Sequence, residues 1–167
     1  MNLVFKRASK DQLQDVLNLF ASTSTLLKNK GLSQWSYWAD PPLEKIQWVS
    51  DGFEKGEFYF VYDDQNDWLG IFRLLEIDTI YWDEKGLEMG VRYIHSLVVT
   101  PNNLGKGIGT LILQNLIGNL AKQGVAKLRL DCDSSNSHLC SYYEAQGFTK
   151  VGEKKTAYSI NNLYEMI

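Results

Sequence analysis

The chain has 167 residues, of which 44% are hydrophobic and 22% charged, and only three are proline. This length suits one domain with a substantial core, and the composition excludes a disordered chain. A net charge of −3 and a pI near 5.4 exclude the basic surface typical of nucleic-acid-binding proteins. No apolar run approaches the ~20 residues of a membrane span.

Cysteine usage and the first residues indicate the compartment. Two cysteines, Cys132 and Cys140, are too few for a disulfide framework or a zinc ligand set. The start of the chain, MNLVFKRASKD, becomes charged too early for a signal peptide. We therefore expect a reduced, cytoplasmic protein with no metal site, no nucleic-acid partner and no membrane association.

The N-terminal residues predict a strand followed by a helix. Residues 3–8 form the strand, and Ser9 and Gln12 form a capping box at the start of the helix. Apolar residues then recur at helical spacing, namely Leu13, Val16, Leu17 and Phe20. We expect this helix to end near Lys28.

An aromatic segment separates this helix from the next. Asp40 precedes two prolines and is the expected N-cap of a second helix that ends near Gly52. The rings of Trp35, Tyr37 and Trp38 lie between the two helices. They either pack the helices onto a sheet or form the wall of a substrate pocket, and the sequence leaves both roles open.

The middle of the chain predicts a hairpin and then a polar segment. Residues 57–62 and 68–75 form the two strands of a hairpin around a polar turn. Gly70, inside the second strand, indicates a bulge or a close approach of another backbone segment. Residues 76–88 form a polar excursion that carries the aromatic pair Tyr81 and Trp82.

Residues 93–122 combine a strand, a glycine turn and an amphipathic helix. The strand YIHSLVV ends at turn residues 101–103. Glycine then occupies every second position at Gly105, Gly107 and Gly109. The helix carries apolar residues on one face, namely Ile108, Leu111, Ile112, Leu116 and Leu120. This succession of strand, glycine turn and helix is typical of an anion-binding site.

A helix start offers N–H groups without intrahelical partners, and glycine lets a phosphate approach them closely. Lys106 adds a positive charge and Thr110 a hydroxyl. A purely structural turn is the alternative. Two nucleotide motifs fail, because a P-loop would need glycine at Thr100 and the dinucleotide fingerprint would need it at Ile112.

The remaining residues predict strand, helix and two strands. Residues 127–133 alternate, with one apolar face made of Leu128, Leu130 and Cys132. A short helix covers residues 136–146. One strand begins at residue 148, and the last strand lies within residues 158–167. The whole order is β-α-α-β-β-β-α-β-α-β-β.

The glycine segment resembles the acyl-CoA-binding motif of the GCN5-related N-acetyltransferases (GNAT family). That motif is an arginine or glutamine, two residues, a glycine, one residue, then glycine or alanine, after a strand ending V-x-P. Here the strand ends Val99-Thr100-Pro101, and the loop runs from Leu104 to Gly109. Leu104 stands where the family usually has arginine or glutamine, a side chain that commonly helps to hold the pyrophosphate.

A second segment, residues 136–148, resembles the family pattern N-x-x-a-x-x-x-Y-e-x-x-G-F. The matching residues are Asn136, Leu139, Tyr143, Glu144, Gly147 and Phe148. In the family this asparagine contacts the cofactor arm, and the tyrosine often protonates the departing thiolate. A phenol with a reference pKa near ~10 is suited to that transfer. The alternative is that Tyr143 is simply a core aromatic.

The resemblance implies a mixed α/β (α+β) GNAT-like acyl-CoA N-acyltransferase fold. It has a mostly antiparallel sheet of about seven strands flanked by four helices, as one domain over residues 1–167. It further implies an N-acetyltransferase that uses acetyl-CoA and a small-molecule, amino-acid-derived or peptide primary amine, through direct attack in a ternary complex. A non-catalytic acyl-CoA sensor or partner-binding module of the same fold is the alternative, and monomer and homodimer both remain open.

The resemblance also implies a cofactor site. Its residues are Leu97, Val98, Val99, Leu104, Gly105, Lys106, Gly107, Ile108, Gly109, Thr110, Asn136, Leu139 and Tyr143. Main-chain groups of the first three would hold the pantetheine arm and polarise the thioester.

The base that deprotonates the amine is not identified by any motif. Candidates are His95, Glu57, Glu76 and Asp78, with water as the alternative where no side chain reaches. His95 can instead be a hydrogen-bonded core residue, and His138 is expected on a helix surface. The candidate acceptor-binding residues are Trp35, Tyr37, Trp38, Asp78 and Trp82, joined by Tyr81; the acids Asp78, Asp83 and Glu84 would favour a cation.

Overall fold

The computed structural model describes residues 1–167, with seven strands and five helices. The strands are β1 Val4–Arg7, β2 Phe58–Tyr62, β3 Trp68–Leu75, β4 Val91–Val99, β5 Lys127–Asp133, β6 Thr149–Lys155 and β7 Ile160–Met166. The helices are α1 Leu13–Asn29, α2 Leu43–Glu54, α3 Thr79–Trp82, α4 Ile108–Lys122 and α5 Ser137–Ala145. Short 3₁₀ turns occupy Lys10–Gln12, Ser36–Ala39, Asp83–Leu87 and Pro101–Asn103.

The strands form one mixed sheet in the order β1-β2-β3-β4-β5-β7-β6. Strands β4 and β5 are parallel, while β1–β2, β2–β3, β5–β7 and β6–β7 are antiparallel. The seven strands are confirmed, and the predicted element order holds apart from one additional helix between β3 and β4. The number of helices is five rather than four, because the polar excursion contains the single-turn helix α3. None of the helices combines the length and apolar composition that crossing a membrane requires.

The chain divides into two compact units. The first unit contains residues 1–73 and 96–112, and the second contains residues 74–95 and 113–167. The boundaries fall inside β3, β4 and α4, so each of these elements contributes residues to both units.

The first unit is built around the two N-terminal helices and the β2–β3 hairpin. Its buried core consists of Val16, Leu19, Phe20, Trp38, Val49, Phe53, Phe58, Phe60, Ile71 and Val98. The predicted apolar face of α1 is confirmed, since Val16 and Phe20 are buried and Leu13 and Leu17 pack beside them. Burying such side chains stabilises the fold by about 1.5–3 kcal/mol each.

The predicted starts of the two N-terminal helices, α1 and α2, have different outcomes. The capping box is present, with the Ser9 backbone N–H donating to the Gln12 side chain at 3.0 Å. Asp40 is not the N-cap of α2, which is instead Pro42. A residue that precedes proline is held extended, and Asp40 and Pro41 each precede one. The double proline therefore delays the helix until Leu43.

Gly70 lies where two backbone segments meet, as its position in the strand indicated. A Cβ atom at Gly70 would lie 2.4 Å from the carbonyl oxygen of Val98. The β2–β3 register also shifts beside it, between Val61 and Tyr62. Only glycine fits this approach without moving the backbone.

We expect Gly70→Ala to destabilise the protein by about 1–3 kcal/mol, the usual cost of overpacking a rigid site. The matched control is Gly118→Ala on α4, where a Cβ meets nothing within 4 Å. Because alanine favours a helix over glycine, the control should be neutral or stabilising by up to about 1 kcal/mol. Chemical denaturation of both variants measures the difference. Equal stability of the two variants would contradict the close approach.

The second unit is organised by β5, which is buried on both faces. The predicted apolar face of Leu128, Leu130 and Cys132 is buried, and Arg129 on the opposite face is buried as well. The Arg129 guanidinium binds the carboxylates of Glu165 and Glu88 at 2.7 and 2.5 Å. Burial of such a charge is stable only because both partners neutralise it.

Candidate active site

The glycine turn follows β4 in the first unit. Thr100, directly after the strand, is buried, and its backbone N–H donates to the carbonyl of Leu69 at 2.9 Å. Gly105 and Gly107 adopt φ angles of +74° and +73°, in the left-handed region that favours glycine. Helix α4 then begins at Ile108, and the Leu111 N–H donates to the Gly107 carbonyl at 3.1 Å.

The space beside the two left-handed glycines is open. A Cβ atom placed on Gly105 or Gly107 meets no other atom within 4 Å. Left-handed residues in such a loop are typical of backbone concavities that bind anions through N–H groups, and the helix start adds the partial positive charge of the peptide dipoles. This arrangement fits an anion held by backbone N–H groups.

Two side chains border this turn. Leu104 is 49% exposed and presents an apolar side chain at the position that arginine or glutamine occupies in the resembled motif. Lys106 is exposed, and its ammonium lies 3.3 Å from the Asn103 side-chain oxygen. Lys106 therefore supplies the positive charge at the rim of the turn.

Strand β4 changes its course in the middle. Ser96 has a φ of +53°, a left-handed conformation that is rare outside glycine and marks an irregular strand. The parallel ladder with β5 joins Val91, Arg92 and Tyr93 to Lys127, Leu128 and Arg129. Of the three residues expected to hold the pantetheine arm, Val98 is buried in the core of the first unit, while Leu97 and Val99 are half-buried.

Helix α5 of the second unit carries the second motif. Asn136 is its N-cap, with the side-chain oxygen accepting from the Leu139 N–H at 3.1 Å. Tyr143 is buried, and its ring contacts Phe148 and Tyr164 with centroid distances of 5.9 and 6.3 Å. Tyr143 is thus a core aromatic, which is the alternative that the sequence analysis left open. Its role in catalysis stays a prediction.

Burial controls the acid–base behaviour of Tyr143. Loss of hydration raises the pKa of its phenol well above the ordinary value, because the phenolate is the disfavoured charged form. The phenol therefore stays protonated at neutral pH and can donate a hydrogen bond or a proton. The same raised pKa makes complete proton transfer less favourable than it is for a solvated phenol.

His95 is bracketed by two carboxylates in the second unit. Its Nε2 lies 2.7 Å from Asp78 Oδ2, and its Nδ1 lies 3.3 Å from Asp131 Oδ1. The Tyr81 ring packs on the imidazole at a centroid distance of 5.0 Å. His95 is therefore a hydrogen-bonded residue whose two ring nitrogens both face acids.

The two glutamates among the base candidates are engaged by arginines. Glu57 binds the buried guanidinium of Arg73 at 2.6 Å. Glu76 lies 2.9 Å from Arg92, and its side chain is 77% exposed. Each of these carboxylates is thus already engaged in an ion pair.

The candidate acceptor-binding aromatics differ in exposure. Trp38 is buried against Phe20, with ring centroids 4.6 Å apart, so it packs the first unit. Trp35 and Tyr37 are half-buried beside the same core. Trp82 is buried in the second unit, where the Arg129 guanidinium lies 4.8 Å from its ring. Among the candidate rings, those that retain a partly exposed surface are Trp35, Tyr37 and Tyr81.

Asp131 is the residue that sequence reasoning missed. It occupies the middle of β5, opposite the apolar face recognised from alternation, and its side chain is 7% exposed. The strand, KLRLDCD, alternates charged and apolar residues, so the pattern assigns Asp131 to the solvated face. Its burial beside His95 depends on the fold and has no signal in the sequence.

Comparison with known proteins agrees with these features. Residues 14–148 match the model of the acetyltransferase (GNAT) family. Over 154 residues the chain is 25% identical to an uncharacterised N-acetyltransferase, YesJ, of Bacillus subtilis (strain 168). That alignment covers 90% of this chain and 83% of the relative.

Solved structures share the fold. A GNAT-family acetyltransferase from Listeria monocytogenes 4b F2365 superposes with a TM-score of 0.77 at 21% identity, covering 98% of this chain and 94% of that one. Spermidine N-acetyltransferase from Vibrio cholerae, solved with CoA and spermine, gives 0.64 at 20% identity, with coverage of 98% and 94%. Because the family model spans most of the chain, this protein belongs to the acetyltransferase (GNAT) family and is an N-acetyltransferase.

Proposed function

We propose that the enzyme transfers the acetyl group of acetyl-CoA, the acetyl donor of the family, to a primary amine. The acceptor is a small molecule, an amino-acid derivative or a peptide, and residues 1–167 act as a single catalytic domain. The glycine turn is the observation that carries this proposal. It presents amides beside open space at a helix start, which suits the diphosphate of CoA.

In this proposal the donor is held mainly by backbone. Amides from Gly105 to Thr110 bind the diphosphate, and Lys106 adds charge at the rim. Main-chain groups of residues 97–99 hold the pantetheine arm, with Asn136 and Leu139 as further contacts. Leu104 cannot donate a hydrogen bond, so we expect weaker CoA affinity than in relatives with arginine or glutamine there.

Acetyl-CoA supplies an acetyl thioester, which the neutral amine attacks directly. Tyr143 then donates to the sulfur as the carbon–sulfur bond breaks, since its buried phenol is neutral at physiological pH. A thiolate formed in an equally buried setting also has a raised proton affinity, which offsets the weak acidity of the phenol.

Removal of the proton from the amine is assigned to water. Glu57 and Glu76 are each paired with an arginine, and both nitrogens of His95 face carboxylates. Each of these side chains is therefore already engaged with a charged partner, which supports water as the acceptor of the proton. Residues 76–88 of the second unit carry Asp78, and we assign them to the acceptor side. Trp35 and Tyr37 are the partly exposed acceptor candidates of the first unit.

Donor binding and turnover can be measured separately. CoA at 100 times its Kd should stabilise the native state by about 2.7 kcal/mol, which raises Tm by several degrees. Free-thiol release from acetyl-CoA should then appear with primary amines and be absent with alcohols of matched length. Binding without thiol release across the amine panel would indicate the acyl-CoA-binding module instead. An unchanged Tm would contradict the donor site.

A further inference from the structure

The environment of His95 constrains its protonation. The side chains of His95, Asp78 and Asp131 are only 9%, 2% and 7% exposed, so water contributes little to their solvation. A neutral imidazole has one N–H and can satisfy only one of the two carboxylates. Its other nitrogen would direct a lone pair at a second buried carboxylate, which is costly. With both acids ionised, the stable form is an imidazolium and the cluster has a charge of −1.

Each carboxylate also holds a different part of the second unit. Asp78 is the N-cap of α3, and its Oδ1 accepts from the Tyr81 N–H at 3.2 Å. Its backbone N–H donates to the Gly86 carbonyl at 3.1 Å, which closes the excursion on itself. Gly86 permits this closure, since a Cβ there would lie 2.1 Å from the Asp78 carbonyl oxygen.

Asp131 fixes the opposite side of the imidazole. Its Oδ2 accepts from the Asn161 side-chain amide on β7 at 2.6 Å, and its Oδ1 lies at an ion-pair distance of 3.3 Å from His95 Nδ1. The imidazolium thus joins the excursion, through Asp78, to β4 and β5. The groups that face it are Asp78 and Tyr81 from the excursion and Asp131 from β5.

We propose that Asp131 is a positioning residue for the acceptor: acting through His95 and Asp78, it holds residues 76–88 in place. The proposal rests on the proposed function, which assigns this segment to the acceptor side. Two carboxylates favour the charged imidazole. We call the linked side chains of Asp78, His95 and Asp131 the clasp. The clasp is complete at low pH, and it opens when rising pH removes the second proton of His95.

The chain suits a direct test, because it has only two histidines. NMR of ¹⁵N-histidine-labelled protein reports the protonation of both, and the exposed His138 serves as the internal reference. We expect His95 to be doubly protonated at neutral pH and to lose its second proton at higher pH than His138. Hydrogen exchange of the amides of residues 79–87 should accelerate over the same pH range.

Asp131→Asn removes one charge and keeps an oxygen for Asn161. The His95 transition should move down by about one pH unit or more, the effect of one nearby charge. In the wild type, the acceptor KM should rise with pH as His95 loses its second proton. In Asp131→Asn this rise should move by the same number of pH units as the His95 transition, while the KM for acetyl-CoA stays constant.

Three results would overturn the proposal. They are a singly protonated His95 at neutral pH, hydrogen exchange of residues 79–87 that ignores its titration, and an acceptor KM profile that stays fixed while the His95 transition shifts. The wild-type titration decides even where Asp131→Asn fails to fold. Failure of every amine to be acetylated would instead refute the proposed function, and the exchange experiment would still judge the clasp.

Discussion

Replacing Tyr143 with phenylalanine is expected to lower kcat about 100-fold, at the lower end of the range for loss of a positioned acid. The substitution removes only the phenol oxygen and keeps the ring that packs on Phe148 and Tyr164. The affinity for CoA, measured by calorimetry, should therefore stay close to wild type. Because burial raises the pKa of this phenol, its deprotonation should not limit the wild-type rate below about pH 10.

Tyr142→Phe is the matched control, since Tyr142 lies next to Tyr143 on the same helix and is only half-buried. It should retain the wild-type kcat. Equal losses of kcat and CoA affinity in Tyr143→Phe would assign Tyr143 to packing alone. In that case the melting temperature of Tyr143→Phe should also be lower than that of Tyr142→Phe.

Gly107→Ala is expected to weaken acetyl-CoA binding by about 10- to 100-fold, which corresponds to ~1.4–2.8 kcal/mol. The added methyl group would enter the open space beside the loop amides, where it contacts no protein atom. It would hold a phosphate away from those amides. The Kd of CoA and the KM for acetyl-CoA should rise together, and the acceptor KM should change little.

Strain in the loop can be separated from loss of the phosphate contact. Gly31, after α1, has a φ of +76° and equally open surroundings. Gly31→Ala should therefore share the cost of a left-handed alanine, about 1–2 kcal/mol of stability, without any effect on CoA. If both variants bound CoA as tightly as wild type, the turn would have only a structural role.

Local chemistry allowed much of the fold to be predicted. The capping box at Ser9 and the alternation of residues 127–133 each depend on neighbouring residues, so sequence patterns reveal them. The change of period after Gly109 likewise reveals the start of a helix. The crossover through α4 then makes β4 and β5 parallel, as the pairing of Val91 with Lys127 shows.

Features that depend on distant residues were not predictable. Residues 76–88 were predicted only as a polar excursion, yet Asp78 and Trp82 within it are buried. Trp82 is covered by Arg129, which lies 47 positions later in the chain. Asp131 gains its meaning only beside His95. Sequence spacing does not encode such contacts, because the sheet brings the residues together.

The candidate cofactor residues remain predictions, although their local geometry is defined. The sequence motif located the turn from Leu104 to Gly109, and its glycines proved left-handed at positions 105 and 107. The motif around Asn136 likewise located a helix start that Asn136 caps. What neither motif could reveal is the burial of Tyr143, which sets its protonation.

The central claim is that backbone amides at the start of α4 bind the diphosphate of CoA. Amide NMR shifts of Gly105, Gly107, Ile108 and Gly109 test it most directly, measured during titration with CoA and, in parallel, with pantetheine. We predict large, saturable shifts of these four amides with CoA and small ones with pantetheine, which lacks the diphosphate. Unchanged shifts at a CoA concentration that saturates the enzyme would contradict the claim.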